Sequence, residues 1–185
     1  MAEPTVNPSR SPDETVEEVD RDGTVLRLVS RAEMRVQRLR HRSVFVAVVS
    51  SSGDLLVHRR SMTKDIWPGW WDVAVGGVVA VGEDYESAAA RELAEEVGVV
   101  GATLEFLGSG AFDDRDVSLV AQCFLCRSDG PFEFADGEVT ATEWVSPDGL
   151  LAWLGTHRVL PDSVALVLPR IVGERSGHTG LGLPT

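Results

Sequence analysis

Three glutamates in one short segment of this chain have the type and spacing to bind a divalent cation. The segment runs from Asp84 to Val97 and carries Glu92, Glu95 and Glu96. In a helix, which advances about 100° per residue, Glu95 and Glu96 lie within about 60° of Glu92, so the carboxylates share one face. Each like-charge pair at these spacings costs roughly 0.3 kcal/mol. A hard cation such as Mg²⁺, which prefers oxygen ligands, would relieve that repulsion. A solvated acidic face is the alternative.

Local sequence signals predict that this face belongs to a well-bounded helix. Asp84 is suited to cap the N-terminus, and Gly98 supplies the left-handed residue that ends the helix. Leu93 falls on the side opposite the glutamates and is predicted to face the core. Arg91 lies about 100° from Glu92, so we expect its guanidinium to reach only the edge of the acidic cluster.

Composition sets the broad class of protein. The chain has 185 residues, 43% hydrophobic and 25% charged, which is typical of a globular domain with a real core. A net charge of −12 disfavours a nucleic-acid-binding surface and attraction to anionic membranes. The sequence has no membrane-length apolar run, and two cysteines do not make a disulfide scaffold. The acidic residues 1–20 have no apolar core, so they are not expected to act as a secretory signal. We therefore expect a cytoplasmic protein that binds neither membranes nor nucleic-acid polymers, and a homodimer stays open.

The remaining sequence predicts the elements that must position the glutamate helix. Apolar and β-branched runs predict strands near 24–29, 44–49, 55–60, 72–75, 103–107, 117–126 and 141–145. We expect 44–49 and 55–60 to form a hairpin. Further helices are predicted near 30–39, 150–154 and 163–172, the last capped by Asp162. Proline and charge content predict a flexible tail at 1–15, one domain at 16–172 and a loose tail at 173–185.

The segment around the glutamates resembles a known family motif. Residues 77–99 read GVVAVGEDYESAAARELAEEVGV, which resembles the Nudix box at Gly77, Glu83, Arg91, Glu92, Leu93, Glu95, Glu96, Gly98 and Val99. The resemblance implies an α/β (α+β) fold, the Nudix α/β/α sandwich, in which a mixed β-sheet lies between helices. It also implies an enzyme that uses Mg²⁺ or Mn²⁺ to hydrolyse the diphosphate of a small molecule, such as a nucleoside-diphosphate-linked compound.

The resemblance also implies roles for the matching residues. Glu95 and Glu96 would bind the metal, and Glu92 would bind metal or accept a proton from the attacking water. Arg91 would orient Glu92, and Glu83 would support a second metal or the loop before the helix. The backbone carbonyl just ahead of the box is a further implied ligand. The implied catalytic residues are Glu92, Arg91 and Glu96, and the implied metal site comprises Glu92, Glu95, Glu96, Gly76 and Glu83.

Residues 39–71 resemble the branch of the Nudix family related to isopentenyl-diphosphate isomerase. They share a Leu-x-His-Arg entry, an Arg-x-x-x-Lys pair and a Trp-Pro-Gly-x-Trp loop. In the isomerase the matching arginine and lysine hold diphosphate, which implies that role for Arg60 and Lys64. Gly76 stands where the isomerase has its catalytic cysteine, so hydrolysis is favoured. An isomerase and a non-catalytic Nudix ligand sensor are the alternatives.

Several other side chains are candidates for the substrate or metal site. Trp67 is a candidate wall for the substrate, whereas Trp71 is expected in the core. Asp114 and Asp116 match an acidic pair of the isomerase and are candidate substrate-binding residues. The last metal ligand or the general base is left open among Asp114, Asp116, Glu138 and Glu143.

Two further features favour structural interpretations. His41 matches a metal ligand of the isomerase, but a structural histidine is favoured. Cys123 and Cys126 form a CxxC pattern within a predicted strand, where residues three apart point to opposite faces, so structural cysteines are expected. The sequence leaves the group attached to the diphosphate open, with nucleotides, dinucleotides, nucleotide sugars and isoprenoids as candidates.

Overall fold

A computed structural model describes residues 13–134 and 137–176 of the chain. The strands are β1 Thr15–Val19, β2 Val25–Ser30, β3 His41–Val49, β4 Leu55–Arg60, β5 Trp71–Asp72, β6 Val75–Val78, β7 Leu104–Asp113, β8 Ser118–Arg127 and β9 Val139–Val145. The helices are α1 Arg31–Gln37, α2 Tyr85–Val97, α3 Leu150–Leu154, α4 Pro161–Leu166 and α5 Leu168–Ser176. These elements extend slightly past the predicted domain limits of 16 and 172. The rest of the predicted tails, 1–12 and 177–185, lies outside the described residues.

Strand β3 is the centre of a mixed sheet. It pairs parallel with β8 along its whole length and antiparallel with β6, while β4 pairs antiparallel with β5 and β9. Within the described ranges, β3 and β4 pair at Val49 and Leu55 alone. The predicted hairpin over 44–49 and 55–60 is therefore wrong beyond its turn. The apolar pattern of each strand suits any buried neighbour, so it could not specify these partners.

Helices cover both faces of the sheet, which confirms the predicted α/β (α+β) sandwich. Val44 and Val46 of β3 belong to the core cluster formed with α2. The alternating residues Phe45 and Ala47 belong to a second cluster, which contains Leu166 from the C-terminal helices. Because both faces of β3 are covered, its sequence is a continuous apolar run.

Helix α2 forms as its sequence signals predict. The Asp84 side chain accepts a hydrogen bond from the Ser87 N–H at 2.8 Å, and Gly98 ends the helix with φ of 71°. Glu92 and Glu96 are each only 2% exposed. The alternative of a solvated acidic face is therefore wrong, because buried carboxylates are found where partners neutralise them.

The C-terminal helical region differs from its prediction. A single helix over 163–172 with Asp162 as its cap is wrong: α4 begins at Pro161, and Leu160 occupies the cap position without a side-chain hydrogen bond. Pro161 fits the first helical turn because its missing N–H has no helical partner there. Asp162 is consequently inside the first turn, where it is 5% exposed.

Candidate active site

A cavity of about 450 Å³ lies between α1, the sheet, the glutamate helix and the start of α4. This volume is within the range of small-molecule pockets. The predicted site residues that line it are Arg60, Lys64, Trp67, Gly76 and Glu92. The fold thus brings members of the implied metal site and of the implied diphosphate site to one cavity, although they are far apart in sequence.

Glu92 lies directly against Gly77 of β6. A Cβ atom at position 77 would be 2.2 Å from Glu92 Oε1, so the carboxylate occupies the space that any larger residue would fill. At the neighbouring Gly76, a Cβ atom would be 2.4 Å from the backbone oxygen of Val44. The two glycines therefore let β6 approach the central strand on one side and the glutamate helix on the other.

Arg91 links three of the implied site carboxylates. Its guanidinium donates to Glu92 Oε1 at 2.7 Å and lies 3.5 Å from Glu95 Oε2. It also donates to both carboxylate oxygens of Glu83, at 3.0 and 2.8 Å. The expectation that Arg91 reaches only the edge of the cluster is wrong, because the long side chain extends well beyond its Cα direction. The contacts with Glu83 raise the pKa of Arg91 and lower the pKa of Glu83.

The loop that precedes α2 is fixed by its own side chains and by the first strand. Glu83 Oε2 accepts a hydrogen bond from the Ala80 N–H at 2.9 Å. Glu17 of β1 accepts one from the Gly82 N–H at 3.1 Å, and Arg42 donates to the Glu83 carbonyl at 3.0 Å. Glu83 therefore supports the loop, one of its two implied roles. The anchoring contribution of Glu17 and Arg42 carries no recognisable signal in the sequence.

Lys64 lies beside the glutamate helix. Its ammonium donates to Glu138 Oε2 and is 3.9 Å from Glu96 Oε1. The Lys64 side chain is 13% exposed, so this charge is largely withdrawn from water. Glu138, one of the four residues left open as ligand or base, also lines the cavity. Glu143 lies on β9 and is not among the described residues that line the cavity. Its carboxylate accepts a hydrogen bond from Trp153 Nε1 at 2.9 Å.

Arg60 is a cavity-lining cation with unused donor capacity. Among the described residues, its buried Nε has no hydrogen-bond acceptor. Its Nη2 makes one long hydrogen bond, 3.4 Å to the Ile66 carbonyl. A buried guanidinium donor without an acceptor is costly, and an anion entering the cavity would satisfy it.

The tryptophan loop and the β7–β8 turn contact each other. Trp67 lines the cavity and donates from Nε1 to Asp116 Oδ2 at 3.2 Å. Asp114 accepts hydrogen bonds from the Asp116 and Val117 N–H groups at 2.7 and 2.8 Å, so its carboxylate shapes the turn. Neither aspartate is among the described residues that line the cavity. Trp71 packs on the core and meets Trp153 edge to face.

His41 and the two cysteines are buried, and His41 also lines the cavity. His41 is 3% exposed, and its Nδ1 lies 3.1 Å from the Leu39 carbonyl, to which it must donate. Burial, with the nearby Arg35 charge, lowers the pKa of His41 to about 3, so the ring is neutral. Cys123 and Cys126 are free thiols that belong to core clusters on opposite sides of the sheet, as predicted.

Two cavity-lining aspartates were missed as site residues. Asp72 and Asp162 are 4% and 5% exposed, and both line the cavity with Arg60. Asp162 had the sequence signature of a helix cap, and Asp72 stood in a short apolar segment. A charged residue within an apolar run was the one available signal for Asp72, because the run itself predicts burial.

The carboxylates fit a divalent cation by their chemistry. Among the described residues, no three histidine, cysteine, aspartate or glutamate side chains are arranged to hold a metal ion. Here Glu92 and Glu95 are directed to Arg91, and Glu96 to Lys64. Mg²⁺ commonly takes one or two carboxylates and keeps several waters, so it does not require three converging side chains. The buried glutamates of one helical turn therefore offer a suitable donor set.

The fold and the site together define a class of protein, a hydrolase with a glutamate helix set against a mixed sheet. The chain belongs to the NUDIX domain family, whose model matches residues 39–162. The Nudix hydrolase YfcD of Salmonella typhi is 38% identical over 139 residues, 75% of this chain and 76% of that protein. PA4841, a Nudix hydrolase of Pseudomonas aeruginosa, is 36% identical over 79% of this chain and 86% of that protein.

A solved structure agrees with these relatives. The crystal structure of DR0079 from Deinococcus radiodurans has a TM-score of 0.72 and 29% identity, and the match covers 85% of this chain and 99% of that one. The present chain is thus a Nudix hydrolase, and the further likeness to the isomerase-related branch stays a prediction. In the described ranges, no helix is long and apolar enough to cross a membrane.

Proposed function

We propose that this Nudix hydrolase uses Mg²⁺ or Mn²⁺ to hydrolyse the diphosphate of a small organic molecule. The observation that carries the proposal is the position of Glu92, buried against Gly77 in the cavity that Arg60 also lines. A diphosphate bound to Arg60 would share this cavity with the carboxylate of the helix. Hydrolysis requires that arrangement, because charge must be neutralised on the phosphoryl oxygens near an activated water.

The metal would be held by Glu92, Glu95 and Glu96, with the Gly76 carbonyl and Glu83 as further members of the site. When bound, it would supply positive charge to the phosphoryl oxygens and make a nearby water more acidic. Glu92 is the group of this helix that lines the cavity, so it is placed to accept a proton from the water. Arg91 would act through Glu92, whose carboxylate it holds at 2.7 Å.

The substrate would be held from the opposite side by the basic and aromatic residues. Arg60 would bind a phosphoryl oxygen through its unpartnered Nε. Lys64 would contribute a point charge beside Glu96, and Trp67 would form an apolar wall for the attached group. Asp116 would act through its hydrogen bond to Trp67, and Asp114 through the turn that places Asp116.

Hydrolysis is favoured over the isomerase alternative by position 76. Isomerisation of an alkene requires a side chain that moves a proton there, and glycine has none. We propose a nucleoside-diphosphate-linked or similar organic diphosphate as the substrate, and a cytoplasmic location. The homodimer and the isomerase-related branch are further predictions, testable by sedimentation and by a direct isomerisation assay.

A hydrolysis screen with Mg²⁺ or Mn²⁺ tests the proposal. Because a diphosphate that joins two groups is cleaved to two phosphomonoesters, the products of those substrates are detected by the phosphate that an added phosphomonoesterase releases from them. The panel contains nucleotides, dinucleotides, nucleotide sugars and isopentenyl diphosphate, and the parent chain is compared with Glu96→Gln. The substitution preserves shape but removes a buried charge, so we expect a loss of activity of roughly 100-fold or more. Glu143→Gln is the matched control, since Glu143 bonds Trp153 away from the cavity. Parent-level turnover by Glu96→Gln would contradict the metal assignment.

A further inference from the structure

Two buried aspartates, Asp72 and Asp162, line the cavity together with Arg60. Asp72 lies on β5 and Asp162 in the first turn of α4. Strand β5 is joined to the segment just before α4 by backbone hydrogen bonds, from Trp71 N–H to the Arg158 carbonyl at 2.8 Å and from Leu160 N–H to the Trp71 carbonyl at 2.9 Å. The positions of both carboxyl groups are therefore fixed by the fold rather than by flexible loops.

Each carboxyl group uses one oxygen locally. Asp72 Oδ1 accepts from the Ala74 N–H at 3.1 Å, and Asp162 Oδ1 accepts from the Ser163 N–H at 2.8 Å. Asp162 is 5% exposed and lines the same cavity as Arg60. Its carboxyl group is therefore within reach of a molecule that binds in this cavity.

The surroundings of Asp162 favour a carboxyl group that holds a proton near neutral pH. Burial and then the negative charge of Asp72 raise the pKa of Asp162 to about 7, while the Arg60 charge opposes them. His58 is buried on β4 directly opposite Asp72. The other titratable or charged side chains that line the cavity are Arg31, Arg35, His41, Lys64, Asp65, Glu92 and Glu138.

We propose that Asp162 is a substrate-binding residue that takes up a proton from solvent when a diphosphate binds at Arg60. This inference rests on the proposed function, which places the diphosphate there. The bound anion adds negative charge beside a carboxyl group that Arg60 had kept partly ionised. The protonated carboxylic acid donates a hydrogen bond to a phosphoryl oxygen, whereas the carboxylate repels it. The proton returns to solvent when the products leave.

Diphosphate binding and protonation of Asp162 favour each other. With the diphosphate bound, Asp162 keeps its proton to a higher pH than it does in the free protein. Affinity is therefore greatest below the free pKa of about 7 and falls as pH rises through it. Each unit by which binding raises the pKa corresponds to about a tenfold loss of affinity across the titration.

Calorimetry on the full chain tests the proposal with methylene diphosphonate, a non-hydrolysable diphosphate, in saturating Mg²⁺ between about pH 6 and about pH 8.5. The parent should bind more weakly as pH rises. Binding enthalpies measured in buffers of different ionisation enthalpy give the number of protons taken up on binding, and this number should be larger for the parent than for Asp162→Asn. Asp162→Asn is a permanent neutral donor, so it should lose this part of the pH dependence. At the highest pH it should bind several-fold more tightly than the parent. The probe and the other cavity residues ionise in both proteins, so the difference between the parent and Asp162→Asn reports Asp162.

Two further variants separate the inference from the proposed function. Arg60→Gln should weaken binding at least tenfold, and if it does not, the diphosphate site is misplaced and both proposals fail. If Arg60→Gln weakens binding but Asp162→Asn keeps the pH slope and proton uptake of the parent, this inference alone is overturned. Asp72→Asn removes the like charge, so it should shift the loss of affinity to lower pH. An unchanged inflection in Asp72→Asn would also count against Asp162, even if Asp162→Asn failed to fold.

Discussion

Arg91 and Glu83 form a bidentate ion pair, with Nε to Oε1 at 3.0 Å and Nη2 to Oε2 at 2.8 Å. The same guanidinium holds Glu92, so one side chain connects the loop before α2 to the carboxylate that lines the cavity. A planar fork is required for this geometry, and a lysine ammonium cannot reproduce it.

Arg91→Lys should therefore reduce activity more than it reduces stability. We expect kcat to fall by roughly tenfold or more, because Glu92 loses its fixed orientation. The free energy of unfolding should fall by about 1 kcal/mol, the usual contribution of such contacts. Denaturant unfolding and steady-state kinetics measure the two effects, with Arg21→Lys on the exposed turn as the control. An Arg91→Lys variant with parental kcat would show that Glu92 needs no such support.

The adjacent glycines should respond differently to alanine. Gly77→Ala places a methyl group where the Glu92 carboxylate lies, and a flexible side-chain end can move away. We expect activity to fall by roughly 100-fold, with a small change in stability. Gly76→Ala meets the Val44 backbone oxygen instead, which cannot move without disturbing the β3–β6 pairing.

For Gly76→Ala, a loss of about 1–3 kcal/mol in unfolding free energy is expected. Thermal melts and kinetics on both variants distinguish the two effects. Equal losses of stability at positions 76 and 77 would contradict the contact between Gly77 and Glu92.

His41 should remain neutral across the physiological range. Burial lowers its pKa to about 3 in the folded protein, below the ordinary histidine value of 6.5. The unfolded chain therefore binds a proton that the folded chain does not, and His41 contributes to a loss of stability as pH falls below about 6.5. Ring ¹⁵N chemical shifts of His41 should show no titration between about pH 5 and about pH 8. An inflection near the ordinary value would contradict the buried, Leu39-bonded ring.

The thiols should be protected until the protein unfolds. Cys123 is fully buried, and burial raises the pKa of its thiol to about 11, so little reactive thiolate is present. Cys126 is buried as well. A thiol reagent should modify neither residue in the native protein and both in denaturant. Rapid modification of the native protein at either position would show that the sheet opens locally.

Local signals predicted the glutamate helix well, and long-range contacts account for what they missed. Asp84, Gly98 and the glutamate spacing act within one helix, so the sequence reveals them directly. The reach of Arg91 depended on Glu83, which lies in the preceding loop. Angular position around a helix describes the Cα atoms and not where a long side chain ends.

The environment of Asp162 and the extent of strand β7 also depend on long-range contacts, which local sequence signals do not reveal. Asp162 carries the signature of a cap, yet Pro161 occupies the first helical position and moves Asp162 inside the turn. Its role depends on Asp72 and Arg60, which come from other elements. Strand β7 extends to Asp113, beyond the predicted 103–107, because pairing with β8 continues past a bulge at Phe106 and Gly108.

The parallel pairing of β3 with β8 has a consequence for how the molecule folds. His41 lies opposite Leu119, so the central pairing joins segments that are distant along the chain. Such high contact order slows folding. Helix α2 has 13 residues, so it too gains most of its stability from packing on the sheet and not from its caps alone. The cavity is complete only after β8 and α4 have joined the sheet. The glutamate helix and the pocket that gives it a substrate therefore reach their final form together, once the C-terminal third of the chain is available.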